Sequence, residues 1–423
     1  MNKLIKKFKS NTYLLQIMTL MSGTLIAQVI MFSFIPILTR LYTPSEFGLY
    51  SLFFVLASMI GSISSGNYEQ AIMLPKSDRD AQALVFLSII VTFSMVTLLS
   101  IVLIVFYDFF LEYFQHHAYL VWLLPISTLV IGLMQIFDAY STRKEFYKKI
   151  AQVKVVASLT TISTQTISKY LFNLNGLIAG KITADLSALL LLIAFHIKKQ
   201  TLQLKNISKR GIKLNAKRYE NFPKYESLST LVNSFSQNVP LLMFTSLFSP
   251  AIAGFYSLTA RAMQTPLSLV SASTKSVFYQ KVSIMYANGG DVYPIYMKTT
   301  MGLLKLFLVP MIIILFFGQD LFTFVFGEEW RESGLIAQVV IFWFLFVFIS
   351  PPTTIMFNIY GLQGIRLIIQ IVTLGLRILA IYLGYYFYNS YFASIVLFVI
   401  VGVLHNGGVM IYIYQKIKRN RKS

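Results

Sequence analysis

The chain has 423 residues, 36 Lys and Arg against 16 Asp and Glu, a formal net charge of +20 and no cysteine. Charged residues make up 12% and hydrophobic residues 56%, whereas soluble domains carry about 25% charged residues. This composition excludes a soluble multidomain protein, and the absence of cysteine excludes a disulfide framework, a thiolate metal site and a cysteine nucleophile.

Twelve apolar stretches are long enough to cross a bilayer, which requires about 20 residues. In chain order they are 14–36, 47–69, 81–107, 118–138, 150–172, 175–197, 226–247, 251–274, 299–317, 333–358, 366–387 and 391–414. Residues 173–176 predict a tight turn between the fifth and sixth stretches, and the polar segment 198–225 follows the sixth. The fifth, sixth and ninth stretches are the weakest because each carries or adjoins a lysine. We therefore expect an all-α integral membrane protein with twelve transmembrane helices.

The distribution of Lys and Arg predicts the orientation, because cytoplasmic loops carry an excess of these residues. With the N-terminus inside, 28 of the 36 lie in cytoplasmic segments, two (Arg40 and Arg331) lie outside, and six lie in or beside the spans. Both termini are therefore predicted to be cytoplasmic, in the inner cell membrane. The basic charge would contact anionic lipid headgroups, and nucleic acid is not an expected partner.

A short motif occurs twice in the chain. Residues 41–52 read LYTPSEFGLYSL and residues 247–258 read LFSPAIAGFYSL, with six of twelve positions identical at an offset of 206 residues. The repeat predicts two pseudo-symmetric six-helix lobes, 1–206 and 207–423, joined by the basic linker 198–225. Because six is even, both lobes insert the same way up, as in transporters built from parallel repeats.

Catalytic and metal-binding motifs are missing from the sequence. Its four histidines form no HExxH motif, and no GxxxxGK[ST] phosphate-binding loop is present. The longest predicted outer loop, 318–332, has 15 residues and is too short for the acceptor site of a membrane glycan polymerase or ligase. We expect a transporter with no catalytic residues, metal or cofactor. Its energy would come from an H⁺ or Na⁺ gradient, the membrane potential or consumption of its substrate.

Two arginines inside predicted spans are candidates for an anion site, since charges in the hydrocarbon are costly and mark function. Arg261 lies near the middle of 251–274 and could hold a pyrophosphate through bidentate hydrogen bonds. A buried ion pair with a carboxylate is the alternative. Arg377 lies midway along 366–387 and is the second candidate, with a scaffolding role as its alternative.

Three carboxylates are candidates for gating or ion coupling. Asp185 could carry a proton or cation, or it could pair with Lys181 one turn earlier on the same helix face. Glu69 and Asp138 lie near cytoplasmic ends, where helix-end solvation is the alternative. The offset of 206 makes Lys275 the position equivalent to Glu69, and we predict that these two residues pair to close the cytoplasmic mouth in the outward-open state.

Six stretches of the chain match the pattern of one known family. They are SGTLIAQ (22–28), PILTRLYTPSEFGLYSL (36–52), NYEQAIMLPKSDRDA (67–81), FPKYESLSTLVNSFSQNVPLLM (222–243), GFYSLTARAMQTPLSLVSASTKSVFYQK (254–281) and FGEEWRESG (326–334). Together they resemble the bacterial polysaccharide (O-antigen) repeat-unit flippases of the multidrug/oligosaccharidyl-lipid/polysaccharide exporter superfamily. Asn67 stands where members of that family often carry arginine, and Arg261 matches a position that is usually basic.

The resemblance implies two six-helix lobes around a basic cavity that opens to each side of the membrane in turn. It implies a lipid-linked oligosaccharide as the substrate, carried on undecaprenyl pyrophosphate, with Arg261 and either Arg377 or Lys181 at the pyrophosphate. Polymerases or glycosyltransferases of the same pathway are the implied protein partners. The polymer type (O-antigen, capsule or another polysaccharide) stays open.

Two other functions compete with this interpretation. An ion-coupled multidrug exporter of the same superfamily would carry carboxylates deep in its lobes, and Asp185 is the only deep acid that the sequence predicts. A membrane glycan polymerase or ligase is the second alternative, and the short outer loops argue against it. The segment 198–225 could also dock a glycosyltransferase, although a solvated, lipid-facing tether is favoured.

Overall fold

The computed structural model describes residues 12–172, 176–202 and 208–420, and within these ranges the chain forms helices and turns without β-strands. The predicted turn at 173–176 lies almost entirely outside the described residues. A π-helical turn, Phe222–Glu226, precedes α10, and a 3₁₀ turn, Glu328–Trp330, precedes α13. The helices are α1 (Thr12–Leu41), α2 (Pro44–Gly61), α3 (Tyr68–Ala71), α4 (Asp78–Val105), α5 (Tyr107–Tyr113), α6 (Ala118–Arg143), α7 (Tyr147–Phe172), α8 (Gly176–Lys198), α9 (Lys209–Arg218), α10 (Ser227–Leu247), α11 (Pro250–Ala287), α12 (Tyr293–Phe326), α13 (Arg331–Ile349), α14 (Pro351–Ile359), α15 (Gln363–Tyr388) and α16 (Tyr391–Asn420).

Every predicted span falls largely on helix, which confirms the all-α prediction. Within the described residues, nine helices are long and apolar enough to cross a membrane: α1, α2, α4, α6, α8, α12, α13, α15 and α16. The predicted spans on α7, α10 and α11 are helical but do not meet this apolarity criterion. The count of twelve spans and the cytoplasmic termini therefore stay predictions.

Two predicted spans are interrupted. The stretch 47–69 leaves the helix at Gly61, because Gly66 and Asn67 have φ values of 64° and 53° in the left-handed region, which a right-handed helix cannot include. The stretch 333–358 divides at Ser350, where Pro351 and Pro352 open a new helix. Both prolines lack the N–H that would continue the hydrogen bonding of α13.

Two segments predicted as loops are largely helical. In the range 318–332 only 327–330 separates α12 from α13, so the connection is much shorter than predicted. The linker 198–225 contains α9, whose Asn215 donates a hydrogen bond to the Asp80 carboxylate at 3.2 Å. The expected solvated tether is therefore wrong for 209–218. Ile212 and Ala216 pack on a buried apolar cluster of α3, α4 and α6, and this contact holds α9 in place.

The described chain divides into two compact units. The first contains the residues up to Leu41 and Leu49–Asn238, and the second contains Tyr42–Gly48 and the residues from Val239 onward. The predicted lobe boundary after residue 206 falls in 203–207, which lies outside the described residues. The observed division lies further along the chain because α9 and the first half of α10 pack within the first unit.

Helices of the first unit approach closely at small residues. A Cβ placed on Gly180 of α8 would lie 2.6 Å from the backbone nitrogen of Gln165 in α7. Gly23 of α1 is similarly close to α7, since its Cβ would lie 2.4 Å from that of Ala151. Small residues at such crossings let helix backbones pack against each other within a membrane.

In the second unit the two copies of the repeated motif pack against each other. A Cβ on Gly48 would lie 1.7 Å from the carbonyl oxygen of Pro250, and a Cβ on Gly254 would lie 1.9 Å from that of Pro44. The contact is reciprocal, because each glycine faces the helix start of the other copy. The identical Pro-x-x-x-Gly spacing in both copies therefore serves a specific contact between the starts of α2 and α11.

Candidate functional site

A buried polar cluster fills the break after α2 in the first unit. Ser64 and Ser65 are fully buried, Asn67 is 1% exposed and Glu69 is 7% exposed. The Ser65 hydroxyl donates a hydrogen bond to the Glu69 carboxylate. Glu69 lies on the short helix α3, outside the nine apolar helices, and burial raises the pKa of its carboxyl group while the Ser65 hydrogen bond opposes that rise. This arrangement suits a group that takes up and releases a proton.

Asn67 ties this break to the start of α10. Its side-chain amide donates to the Thr230 hydroxyl at 3.0 Å and accepts from the Ser227 hydroxyl at 3.1 Å. The neighbouring Tyr68 hydroxyl donates to the Ala216 carbonyl of α9 at 3.1 Å. Asparagine adopts the left-handed backbone region more readily than most residues, so it both forms the turn and anchors it.

The segment after α3 is held by charged groups of α6. The Arg143 guanidinium donates to the carbonyl oxygens of Ile72 and Pro75 at 2.9 and 2.8 Å. Lys144 forms an ion pair with Asp78 at 2.6 Å, and Arg143 lies 3.6 Å from the same carboxylate. These contacts fix the chain that carries Glu69, so the basic pair at the end of α6 has a structural role besides setting orientation.

The other two carboxylate candidates also lie in the first unit, each near a lysine. Asp138 of α6 is half-buried and interacts electrostatically with Lys154 of α7. Asp185 forms an ion pair with Lys181 one turn earlier on α8, which is the alternative that the sequence left open. The positive charge of Lys181 is therefore compensated on its own helix, and Lys181 is a weaker candidate for an anion than the arginines.

Arg261 and Lys275 lie on the long helix α11 of the second unit. Arg261 is half-buried and lies about 16 Å along the helix from Pro250, at 1.5 Å per residue. Lys275 is exposed and lies about 21 Å further along, on the predicted cytoplasmic side. The proposed pairing of Lys275 with Glu69 would join the two units and stays a prediction.

Arg377 of α15 lies against aromatic rings within the second unit. Its guanidinium carbon is 5.4 Å from the ring centroid of Trp343 and 5.5 Å from that of Phe398. Its Nε is buried without a hydrogen-bond partner among the described residues. Two cation–π contacts stabilise the Arg377 charge, each by about 0.5–2 kcal/mol.

Ionisable residues are distributed unequally between the two units. Glu69, Asp138 and Asp185 all belong to the first unit. The described carboxylates of the second unit lie in loops or within about two turns of a helix end, whereas Arg261 and Arg377 lie well inside helices. Those carboxylates are Glu46, Asp291, Asp320, Glu328, Glu329 and Glu332. Over the described residues, no group of three or more His, Asp or Glu could hold a metal ion.

Comparison with known families decides the affiliation of the chain. A family model described as polysaccharide biosynthesis protein matches residues 37–335. The chain belongs to this family. No curated protein sequence matches the chain. The match runs from the end of α1 to the start of α13 and therefore includes the helix break, the repeated motif and Arg261.

Solved structures share the fold of this polysaccharide biosynthesis protein. A lipid II flippase, MurJ, in an inward closed conformation has a TM-score of 0.71 at 14% identity, covering 95% of this chain and 89% of MurJ. An inward-facing multidrug resistance MATE family transporter of the MOP superfamily has a TM-score of 0.68 at 14% identity, with 96% and 94% covered. A MOP superfamily transporter from Pyrococcus furiosus has a TM-score of 0.61 at 14% identity, with 96% of both chains covered. The family and these relatives confirm the predicted resemblance, and the chain is a multi-pass membrane protein with a transporter fold.

Sequence reasoning missed two features of the site region. The tie from Asn67 to Ser227 and Thr230 joins residues more than 150 positions apart, and no local pattern indicates it. The polar surroundings of His405, which donates to or accepts from Thr373 at 2.6 Å, were also missed. The sequence does contain a signal for these polar surroundings of His405. Arg366, Gln370 and Thr373 are spaced so that they lie along one side of α15.

Proposed function

We propose that the protein is a flippase that moves undecaprenyl-pyrophosphate-linked oligosaccharide repeat units from the inner to the outer leaflet of the cytoplasmic membrane. The products would supply the synthesis of a surface polysaccharide. Membership in the polysaccharide biosynthesis protein family is the observation that carries this proposal. The fold shared with a lipid II flippase supports it, because that relative is named for a lipid-linked cargo.

The proposed cargo requires a protein path for physical reasons. A glycan and two phosphates carry many polar groups, and each one that loses water without a new hydrogen bond costs about 2–7 kcal/mol. The lipid tail has no such cost and stays in the bilayer. Alternating access would shield the head group while the tail remains in the membrane.

The second unit, which carries Arg261 and Arg377 well inside its helices, is the proposed holder of the pyrophosphate. Arg261 is the primary candidate, because it lies deep along α11 and the guanidinium matches phosphate oxygens with two parallel hydrogen bonds. Arg377 is the second candidate, since its buried Nε has no protein acceptor. Lys181 is a lesser candidate, because its charge is engaged by Asp185 on the same helix.

The first unit is the proposed site of ion coupling and gating. Glu69, Asp138 and Asp185 are three of its half-buried or buried carboxylates, and a membrane carboxylate is the usual carrier of a proton or cation. Glu69 is favoured for the proton, because burial favours its neutral form and outweighs the opposing hydrogen bond from Ser65. The coupling ion would be identified by measuring repeat-unit transport in vesicles with an imposed gradient of either H⁺ or Na⁺.

The test of the flippase function is made in a strain that lacks the gene. We expect single lipid-linked repeat units to accumulate on the cytoplasmic face of the membrane and the surface polymer to be lost. Unpolymerised repeat units on the outer face would instead indicate a polymerase. Unchanged glycans would overturn the proposal.

The role of Arg261 is tested with a matched variant on the same helix. Arg261→Gln removes one positive charge at mid-depth, and Lys281→Gln removes one at the exposed, predicted cytoplasmic end of α11. We expect Arg261→Gln to lower the rate of repeat-unit translocation at least tenfold at equal membrane abundance, with Lys281→Gln within twofold of wild type. Equal translocation rates for the two variants would show that Arg261 does not bind the pyrophosphate.

An ion-coupled multidrug exporter is the second candidate function. The carboxylates of the first unit favour it, together with the fold shared with a multidrug resistance MATE transporter. In the gene-deletion strain this function predicts unchanged glycans and a new sensitivity to cationic dyes. A pathway polymerase or glycosyltransferase would be a partner only of the flippase, so co-purification with one of them supports the first candidate.

A further inference from the structure

The second unit contains a cavity of about 170 Å³ at one end of its helices. It is enclosed by the end of α13, the first turns of α14, and parts of α15 and α16. Its polar lining includes Ser350, Thr354, Arg366, Gln370, His405 and Asn406. This cavity is separate from Arg261 and Arg377, which are not among its lining residues.

The lining is rich in hydrogen-bond donors that have no partner. Within the described residues, the side chains of Arg366 and Gln370 form no hydrogen bond, and Arg366 forms no ion pair. A guanidinium presents five N–H donors and a glutamine amide presents two. None of the described lining residues is acidic. The cavity therefore offers donors and positive charge without a carboxylate to compensate them.

Hydrogen-bond geometry fixes the tautomer of His405. The Thr373 hydroxyl donates its single proton to the Ile369 carbonyl at 2.7 Å and also lies 2.6 Å from Nδ1 of His405. Since that proton is used, the hydroxyl oxygen accepts from His405, and Nδ1 carries the hydrogen. Thr373 is not a lining residue, so the opposite ring edge is left for the cavity, where Nε2 is an acceptor and does not itself hold an anion.

Two further charges reinforce the positive potential of the cavity. Arg366 and Arg377 both act electrostatically on His405. The first turn of α14, with Ser350 as the residue before the helix, also lines the cavity. Pro351 and Pro352 open this helix without N–H groups, and the C-terminus of α13 lies beside its start, so the two helix ends add no net positive field.

The size and position of the cavity limit its ligand. Its volume corresponds to about six water molecules at ~30 Å³ each, which admits a phosphate group and excludes an oligosaccharide. Arg366 lies in the first turn of α15, within about 5 Å of the helix end at 1.5 Å per residue. That end is predicted to be cytoplasmic, at the level where lipid phosphates meet the protein.

We propose that this cavity is a binding site for a phosphate group, held by the Arg366 guanidinium with Gln370 and Thr354. The phosphate is supplied either by the headgroup of an anionic phospholipid or by a soluble phosphate anion. Basic pockets between transmembrane helices on the cytoplasmic side bind such headgroups. This inference does not depend on the transported cargo.

The test uses the purified full-length chain, depleted of lipid, with variants matched in charge. Arg366→Gln removes the proposed ligand group, and Lys418→Gln removes one exposed positive charge near the end of α16, outside the cavity. Arg366→Lys keeps the charge but loses the two-pronged geometry, and Gln370→Ala removes a weaker donor. Inorganic pyrophosphate is titrated calorimetrically, and retention of phosphatidylglycerol is measured by native mass spectrometry against phosphatidylcholine.

We expect wild type to bind at least one of the two probes, with an affinity or retention at least tenfold lower in Arg366→Gln. Gln370→Ala and Arg366→Lys should be intermediate, and Lys418→Gln should stay within twofold of wild type. Binding of pyrophosphate identifies a soluble anion, and selective retention of phosphatidylglycerol identifies a lipid headgroup. Failure of wild type to bind either probe, or equal losses in Arg366→Gln and Lys418→Gln, overturns the proposal. Because Arg261 and Arg377 are intact in every variant, a loss in Arg366→Gln reports on this cavity and not on the proposed pyrophosphate site of the cargo, so its outcome is separate from that of the flippase test.

Discussion

The reciprocal glycine contact between the two motif copies allows a sharp test of the packing in the second unit. Replacing Gly48 by alanine would place a Cβ 1.7 Å from the Pro250 carbonyl oxygen, whereas ordinary Cβ contacts lie at 3.4 Å or more. The starts of α2 and α11 must therefore move apart by about 1.7 Å at this point. Gly254→Ala forces the same separation against Pro44.

The expected magnitude combines two opposite effects. A separation of 0.5–1 Å already removes about a quarter to a half of the dispersion attraction, and overpacking costs about 1–3 kcal/mol. Alanine also improves helix propensity by about 1 kcal/mol relative to glycine. Gly302→Ala and Gly375→Ala serve as controls. They gain helix propensity without overpacking, since no atom lies within 4 Å of their added Cβ. Because the propensity gain is common to all four variants, we expect Gly48→Ala and Gly254→Ala to be about 1–3 kcal/mol less stable than these controls.

Thermal unfolding of the purified variants in one detergent is the assay. Gly48→Ala and Gly254→Ala should each lower the midpoint, while the two control variants should match or exceed wild type. The unfolding midpoint of the Gly48→Ala/Gly254→Ala double variant should fall by less than the sum of the two single decreases, because separating the helix starts once makes room for both methyl groups. A midpoint for Gly48→Ala equal to that of Gly302→Ala would refute the close contact, and additive losses would refute its reciprocity.

Three further predictions concern the first unit. Because burial raises the pKa of Glu69 in the folded protein, the ionised carboxylate destabilises the fold above that pKa and not at acidic pH. Glu69→Gln should therefore raise the unfolding midpoint at pH 8 and leave it unchanged at pH 4, and an equal rise at both values would contradict this. Asn67→Ala should lower stability by about 1–3 kcal/mol through backbone strain and lost hydrogen bonds, and Asn67→Gly should lose only the part due to hydrogen bonds. In a double-mutant cycle, Lys181→Met and Asp185→Asn should each impair stability more than their combination does, since a single change leaves one charge unpaired. Additive effects in denaturant unfolding would argue against the ion pair.

Helix positions were largely predictable from the sequence, because hydropathy is a sum over neighbouring residues. The TPSE sequence at the start of α2 also predicts the N-terminal capping box of that helix. Thr43 and Glu46 form a capping box in which the Thr43 N–H donates to the Glu46 carboxylate at 2.7 Å. The break after Gly61 was not predicted, although residues 62–67 (SISSGN) contain the serine, glycine and asparagine residues typical of turns. The left-handed turn at Asn67 is stabilised by partners on α10.

The sequence by itself determined the membrane class, the helical fold, the repeated motif and the residues that carry charge into the spans. These properties depend on local composition and spacing, which a single chain displays directly. The tertiary structure alone decided the distant partners: Ser227 and Thr230 for Asn67, and aromatic rings for Arg377. It also decided where Arg366 and His405 meet around one cavity. Such contacts depend on which helix faces pack together, a property of the folded chain that local hydropathy does not specify.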